Sequence, residues 1–318
     1  MRWRLFAICV VTGPLVGVVS PLVVGCAPRV EPVVLATPTA SPTSARLPVL
    51  TATPMATPMA VPMPTVTPEP TPIKELEVEI ETATFTIVYD NNEYDPALKA
   101  AWGFACLVEI REATLLFDTG GDGSTLLGNM DKLGFDPQVI DVVVLSHIHG
   151  DHTGGLGPLL GAGARPTVYV PAAFPASFKD DVRARTDLVE VTEPLEVLPG
   201  VYTTGEVGSG IVEQALAVET GDGLVVVTGC AHPGVVQMVR RAQEVTGGEV
   251  ALVMGGFHLG GTSQGRIERI IADFRQLGVR RVAPCHCTGD LARQMFADAF
   301  GADCTLAGAG CVVIIGSG

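Results

Sequence analysis

Short runs of apolar and β-branched residues recur from residue 82 onward, separated at first by tight polar turns and later by longer segments. Runs of this length and composition predict strands. The predicted strands cover residues 82–89, 104–110, 114–117, 141–145, 167–170, 214–218, 224–228, 250–254, 281–283 and 311–315.

Three of the longer segments have the apolar spacing of a helix. In residues 263–277, the side chains of Ile267, Ile270, Ile271, Phe274 and Leu277 fall on one helical face. Two shorter segments, 235–245 and 290–300, repeat this pattern. Strands that come first in succession and then alternate with helices predict an α/β domain in which two sheets pack face to face with helices outside.

The first 26 residues follow a different pattern. Arg2 and Arg4 precede a long apolar stretch, which ends in Val-Val-Gly before Cys26. This order resembles a bacterial lipoprotein signal with lipidation at Cys26. The alternative is a transmembrane anchor, because the stretch is about long enough to cross a bilayer. Interrupting glycines and prolines favour the lipoprotein, so the chain is expected to be exported and attached to the outer face of the bacterial cell membrane.

Residues 27–74 consist mainly of Pro, Thr, Ala, Val, Met and Ser, and Ala-Thr-Pro-Met is repeated at 52–59. Dense proline removes the hydrogen bonds of helices and sheets, so this segment is predicted to be an extended, disordered tether. The folded domain is then residues 75–318.

Net charge and cysteine placement limit the partners and the type of site that the chain can have. The net charge of −14 argues against a nucleic acid as partner, since phosphate binding requires clustered Lys and Arg. Of the eight cysteines, Cys230, Cys285 and Cys287 lie beside histidines. That placement favours a role near a metal over a disulfide.

All six histidines follow predicted strands. His147, His149 and His152 come after strand 141–145, and each later one follows its own strand: His232, His258 and His286. Strand ends that share one rim of a sheet bring their loops together. Scattered surface histidines would not be confined in this way.

The strongest motif is the run of His147, His149, Asp151 and His152 on one such loop. Imidazole and carboxylate groups are the ligands preferred by zinc, manganese and iron. Glycines at 150, 154 and 155 permit the sharp turn that brings these side chains together. The motif therefore predicts a metal site.

This motif, together with Leu-Leu-Phe-Asp-Thr-Gly at 115–120, resembles the metallo-β-lactamase superfamily over residues 80–318. The resemblance implies a four-layer αββα sandwich with a two-metal site at one edge. The runs at 228–234, 255–259 and 284–289 are similar to a branch named after dihydropterin-ribofuranosyl-aminobenzene-phosphate synthase.

The resemblance also implies roles for the site residues. His147, His149 and His232 would bind one metal, and the second would be bound by Asp151, His152 and His286. Asp118 would hold a ligand imidazole through its free N–H.

Two positions stay open. Cys230 stands where many members of the superfamily have a bridging aspartate, so it either bridges the metals or packs behind them. His258 is left as a group that contacts the substrate or supports a ligand, with direct ligation as the alternative.

The expected activity is that of a metallohydrolase with two divalent ions, zinc foremost and manganese or iron as alternatives. Hydroxide formed at the metals would attack a small ester, lactone, thioester or phosphoester, with Asp151 orienting the water or accepting its proton. One alternative is a transferase like the synthase of the resembling branch. Another is a tethered module that binds metal or a ligand without turnover.

Overall fold

In a computed structural model of the chain, the residues described are 80–316. The predicted signal with Cys26 and the tether at 27–74 lie outside this range. Within it, no helix combines the length and the apolar character needed to cross a membrane.

The described residues form two sheets, one of seven strands and one of six. Numbered along the chain, the strands are β1 (Ala83–Asp90), β2 (Phe104–Ile110), β3 (Ala113–Phe117), β4 (Val142–Val144), β5 (Thr167–Pro171), β6 (Leu188–Val191), β7 (Leu195–Leu198), β8 (Val201–Thr203), β9 (Leu216–Thr220), β10 (Gly223–Thr228), β11 (Val250–Gly256), β12 (Arg281–Cys285) and β13 (Val312–Ile315).

Each sheet combines antiparallel and parallel pairs. The first has the order β13-β1-β2-β3-β4-β5-β6 and becomes parallel from β3 onward. The second has the order β12-β11-β10-β9-β8-β7, with β10, β11 and β12 parallel. The strands that precede the histidines are parallel ones: β4 in the first sheet and β10 to β12 in the second.

The helices are α1 (Gly123–Leu133), α2 (Gly150–Thr153), α3 (Leu156–Gly161), α4 (Ala176–Arg183), α5 (Val235–Thr246), α6 (Gln264–Gln276) and α7 (Asp290–Phe300). Short 3₁₀ turns cover Pro137–Val139, His286–Thr288 and Gly301–Asp303.

Three apolar clusters define the layers. The middle cluster joins both sheets, with Phe117 of β3 and Met254 of β11 among its members. A second cluster packs α5, α6 and α7 on the outer face of the six-stranded sheet, and a third packs α1, α3 and α4 on the other sheet. Strands covered on both faces read as continuous apolar runs, as β10 and β11 do. The predicted αββα sandwich is confirmed.

The structure adds elements that the apolar pattern did not predict. Strands β6, β7 and β8 are short and partly exposed, so they lack a continuous apolar run. Helix α1 contains two glycines but is capped at both ends. The side chain of Asp122, just before the helix, accepts the Thr125 N–H, and Gly134, just after it, has the left-handed conformation. Capping and packing thus outweigh its low intrinsic helix propensity.

One predicted strand is shifted. Residues 214–218 were expected to form it, whereas β9 begins at Leu216. The Gln214 N–H instead donates to the Ser146 carbonyl, and its side-chain amide donates to the Leu145 carbonyl, both at 2.9 Å. Gln214 therefore connects the six-stranded sheet to the loop that follows β4.

Candidate metal centre

The loops that follow β4, β10, β11 and β12 meet at one rim of the sandwich and bring every histidine of the chain together. Centroids of neighbouring imidazole rings are 4.2–5.0 Å apart. These rings belong to His147, His149, His152, His232, His258 and His286. The gathering follows from the parallel strands, whose carboxyl ends all face this rim.

One group of ligand atoms comes from Asp151, His152, Cys230 and His286, all within 4.8 Å of one another. The Nε2 atoms of His152 and His286 are 3.2 Å apart. Asp151 Oδ2 lies 3.6 and 3.5 Å from these two nitrogens, and Cys230 Sγ lies 3.3 and 3.4 Å from them. Two imidazoles, a thiol and a carboxylate around one point are a donor set that suits zinc.

A second group contains His147, Cys230 and His232 within the same 4.8 Å limit. His149 adjoins it, with Nδ1 3.1 Å from His147 Nε2. The Nε2 atom of His232 is buried and, among the described residues, has no hydrogen-bond partner. Buried polar atoms of this kind call for a ligand, and an imidazole nitrogen beside a thiol is suited to a cation.

Cys230 belongs to both groups, so its Sγ lies between them. It also belongs to a third set with His258 and Cys287. Cys287 was not among the predicted ligands, although it lies next to His286 and within reach of Cys230, whose carbonyl is 3.6 Å from the Cys287 sulfur. His258 is exposed and has a left-handed backbone, with φ of 51°.

Buried polar groups behind the ligands fix their orientation. Asp118 Oδ2 is 2.7 Å from His152 Nδ1 and accepts the Ser146 hydroxyl, also at 2.7 Å. The same hydroxyl lies 2.9 Å from His147 Nδ1. These contacts direct the Nε2 atoms of both histidines toward the ligand groups.

His286 is oriented by residues that the sequence analysis did not select. Its Nδ1 lies 2.8 Å from Asn91 Oδ1, and its backbone N–H donates to Asp90 Oδ2 at 3.0 Å. Both residues directly follow the first predicted strand. The rule that led to the histidines, polar residues at strand ends, could have identified them.

Glu213 is a further residue that was missed. Its side chain is buried and accepts three successive backbone N–H groups, those of Cys230, Ala231 and His232, at 2.8–2.9 Å. Burial raises the pKa of Glu213 to about 7, although these N–H groups counteract part of the shift. The sequence signal is the pair Glu213 and Gln214 within an otherwise apolar run at 211–218.

Two of the metal-facing imidazoles, those of His147 and His232, are held in the neutral form, whereas burial acts to lower the pKa of His152 but the Asp118 carboxylate outweighs it and raises that pKa. Burial, reinforced by neighbouring histidines, lowers the pKa of His147 well below its usual range and that of His232 to about 4. Burial acts to raise the pKa of Asp151, but hydrogen bonding to His286 and the charge of His152 outweigh it and lower the pKa. Neutral imidazoles and an ionised carboxylate are the protonation states that bind a cation.

The pKa values of the two neighbouring thiols, Cys287 and Cys230, are shifted in opposite directions. The hydrogen bond between them lowers the pKa of Cys287 and raises that of Cys230, and burial adds to the rise at Cys230. The thiolate form is therefore favoured at Cys287, whereas the Cys230 thiol would lose its proton when a metal binds to its sulfur. Together with the orphaned His232 nitrogen, this donor set fits a divalent metal.

A sequence profile of the metallo-beta-lactamase superfamily matches residues 103–245. The resemblance of this part of the chain to the metallo-β-lactamase superfamily is confirmed. The match includes the histidines from His147 to His232, while His258 and His286 lie beyond it.

Among relatives, the chain is 29% identical to 7,8-dihydropterin-6-methyl-4-(beta-D-ribofuranosyl)-aminobenzene-5'-phosphate synthase of Methanocaldococcus jannaschii, with 69% of this chain and 92% of that protein covered. The resemblance to this branch is confirmed. A solved metal-dependent hydrolase of the beta-lactamase superfamily is 27% identical, with a TM-score of 0.61 over 74% of this chain and all of that one. The fold is also shared with YhfI of Bacillus subtilis, at 17% identity and a TM-score of 0.56, covering 74% of this chain and 99% of that chain.

Proposed function

We propose that this protein is a hydrolase that uses two divalent ions, zinc foremost, to cleave a small ester, lactone, thioester or phosphoester. The observation that carries the proposal is the position of Cys230, whose sulfur belongs to two adjacent ligand groups. Adjacent groups that share one donor suit a pair of ions. The 27% identical structure described as a metal-dependent hydrolase supports the same reaction class.

His147, His149 and His232 would hold one ion. Asp151, His152 and His286 would hold the other, with Cys230 between the two groups. When bound, such a pair of ions polarises the substrate oxygen and lowers the pKa of nearby water.

Asp151 is placed to handle the proton of the attacking water. In its ligand group it alone is not buried, and its side chain is 22% exposed. Its carboxylate can therefore orient a water that enters from solvent and accept the proton at an oxygen.

His258 occupies the outer side of the cluster. Its ring centroid is 4.3 Å from that of His232, and the residue is exposed. A substrate bound at the rim would meet His258 before it met the buried imidazoles, so this histidine contacts the substrate in our proposal.

Ser146 orients its neighbours and is not placed to act as a nucleophile. Its buried hydroxyl contacts both Asp118 and His147, at 2.7 and 2.9 Å. A serine nucleophile would have to leave both contacts, so hydrolysis by direct attack of water is the simpler route.

A second candidate is the transferase reaction of the synthase relative, favoured by 29% identity over 92% of that protein. The two candidates differ in the acceptor, which is water for a hydrolase and a second organic substrate for a synthase. Product analysis with and without a phosphoribosyl donor and an aminobenzoate acceptor separates them.

The test is metal content and turnover of the full-length protein. We expect about two equivalents of zinc by elemental analysis and hydrolysis of at least one substrate in a panel of esters, lactones, thioesters and phosphoesters. The double variant His147→Ala/His149→Ala should lose at least one equivalent and all turnover.

Cys230→Ala tests the shared ligand, and Cys106→Ala is its matched control because Cys106 is also a buried free thiol but lies in the core. We expect the Cys230 variant to lower turnover by about 100-fold or more. Mutation of residues that only hydrogen-bond to metal ligands already lowers metal affinity or activity by about 10–100-fold, and Cys230 would be a ligand itself. Unchanged zinc content and turnover would mean that Cys230 only packs behind the site. A protein that takes up no metal under replete conditions would refute the proposal as a whole.

A further inference from the structure

A large aromatic side chain is exposed directly beside the metal centre. Trp102 precedes β2, and its side chain is 61% exposed. Its ring centroid lies 5.1 Å from that of His286, at an interplanar angle of 52°. His286 itself has a fully buried side chain, so Trp102 forms the outer surface over this ligand.

The backbone around Trp102 is fixed against the metal loop. Gly103 has φ of 142°, and a Cβ placed there would lie 2.5 Å from the Asp151 carbonyl oxygen and 2.8 Å from the Gly121 nitrogen. A Cβ on Gly121 would lie 2.7 Å from the Trp102 carbonyl oxygen. Contacts this close require glycine, and they hold the backbone at Trp102 and Gly103 against the loop that carries Asp151.

A cavity of about 640 Å³ adjoins the other ligand group and is lined by His232, Pro233, Gln237 and the 208–211 loop. Ile211, which is 38% exposed, contributes an apolar side chain there. The lining of this cavity is otherwise mostly polar, so the largest apolar surface next to the ligand groups is the indole of Trp102. A substrate with an apolar substituent close to its reacting group would find its contact there.

We propose that Trp102 is the wall of a subsite that binds an aromatic ring of the substrate next to His286. An exposed indole gains most from a flat apolar partner, because stacking removes one face of each ring from water and aligns the two rings. The inference rests on the proposed function for the reaction but concerns recognition alone. Trp102 is accordingly a specificity-determining residue.

The chain offers a direct probe, since Trp102 and Trp3 are its two tryptophans. In the full-length Trp3→Phe variant, the indole fluorescence comes from Trp102. The zinc-loaded protein is titrated with phenylphosphonate and with methylphosphonate, which differ only in the ring. We expect the phenyl compound to change the fluorescence and to bind about 10-fold more tightly, equivalent to roughly 1.4 kcal/mol.

Trp102→Ala should abolish this preference when both affinities are measured by calorimetry, while zinc content stays the same. Trp102→Phe should retain most of it, because the ring remains. Ile314→Ala is the control, since Ile314 has the same 61% exposure but lies on the outer strand β13.

Three results would overturn the inference. The first is a parent protein that binds phenylphosphonate no more tightly than methylphosphonate, and the second is a preference that survives Trp102→Ala. The third is a Trp102→Ala variant that loses zinc and loses affinity for both phosphonates equally, which would mean that Trp102 only covers His286. Because binding is measured without turnover, failure of hydrolysis would count against the proposed function and leave this test intact.

Discussion

Glu213 shows how a single buried side chain can shape a metal loop. Its carboxylate accepts the N–H groups of three consecutive residues, from Cys230 to His232, and the middle one, Ala231, has φ of 60°. Such a turn aims successive N–H groups at one acceptor and leaves the side chains of Cys230 and His232 on the side of the metal centre. Both of these side chains then reach the ligand groups.

Glu213→Ala should lower the free energy of unfolding by roughly 3 kcal/mol, because three N–H groups would lose their shared acceptor in a buried position. Zinc affinity should fall as well. Both quantities should be intermediate in Glu213→Gln, between those of Glu213→Ala and the parent, because the glutamine amide oxygen still accepts hydrogen bonds. Urea denaturation and zinc titration measure the two effects. The control is Glu206→Ala, which removes a partly exposed carboxylate that accepts one N–H, from Ala173. Equal effects from both substitutions would contradict a special role for Glu213.

At the scale of elements, the strands that carry the site were predictable because their signal is local. Strands β10 and β11 are continuous apolar runs, and a histidine follows each of them within a few residues. The partners that orient the site were not predictable in this way. Asn91 contacts His286 across 195 positions and Glu213 contacts Cys230 across 17, and no periodic pattern encodes such pairs. The order of strands and helices already indicated two sheets packed face to face with helices outside, but the order of the strands within each sheet could not be predicted, because apolar runs do not specify it.

The approach of the β10 loop to the β4 loop depends on Gly229. A Cβ at this position would lie 2.1 Å from Ser146 Oγ and 2.8 Å from Asp118 Oδ2. Gly229→Ala should therefore push apart the two loops, with a loss of stability of about 1–3 kcal/mol and a marked loss of bound zinc.

Gly128→Ala in helix α1 is the matched control, and its effect on stability should have the opposite sign to that of Gly229→Ala. No atom lies within 4 Å of a Cβ at Gly128, and the residue is exposed. Alanine should stabilise the helix by about 0.5–1 kcal/mol. Thermal unfolding and zinc content distinguish the two variants, and a Gly229→Ala protein with normal zinc content would argue against close contact of the loops.

At the scale of the whole molecule, the ligand groups join two sheets that otherwise meet through their apolar core. His147, Asp151 and His152 follow β4 of the seven-stranded sheet, whereas Cys230, His232 and His286 follow strands of the six-stranded sheet. A metal held by both sets would bind the folded domain and have no comparable site in the unfolded chain. Metal binding and folding should therefore be coupled.

Removal of metal should accordingly lower the thermal stability of the domain. For zinc present at about 100 times its dissociation constant, the linkage is worth roughly 2.7 kcal/mol, which corresponds to a Tm shift of about 5–10 °C for a domain of this size. Differential scanning calorimetry of the full-length protein before and after dialysis against EDTA measures the shift, and zinc should restore it. The Tm of the His147→Ala/His149→Ala variant should shift less when zinc is removed, because two of the ligands on the loop after β4 are absent. If that variant and the parent showed the same shift, zinc would be acting elsewhere in the chain, and the connection between the two sheets would have to be sought in the apolar core alone.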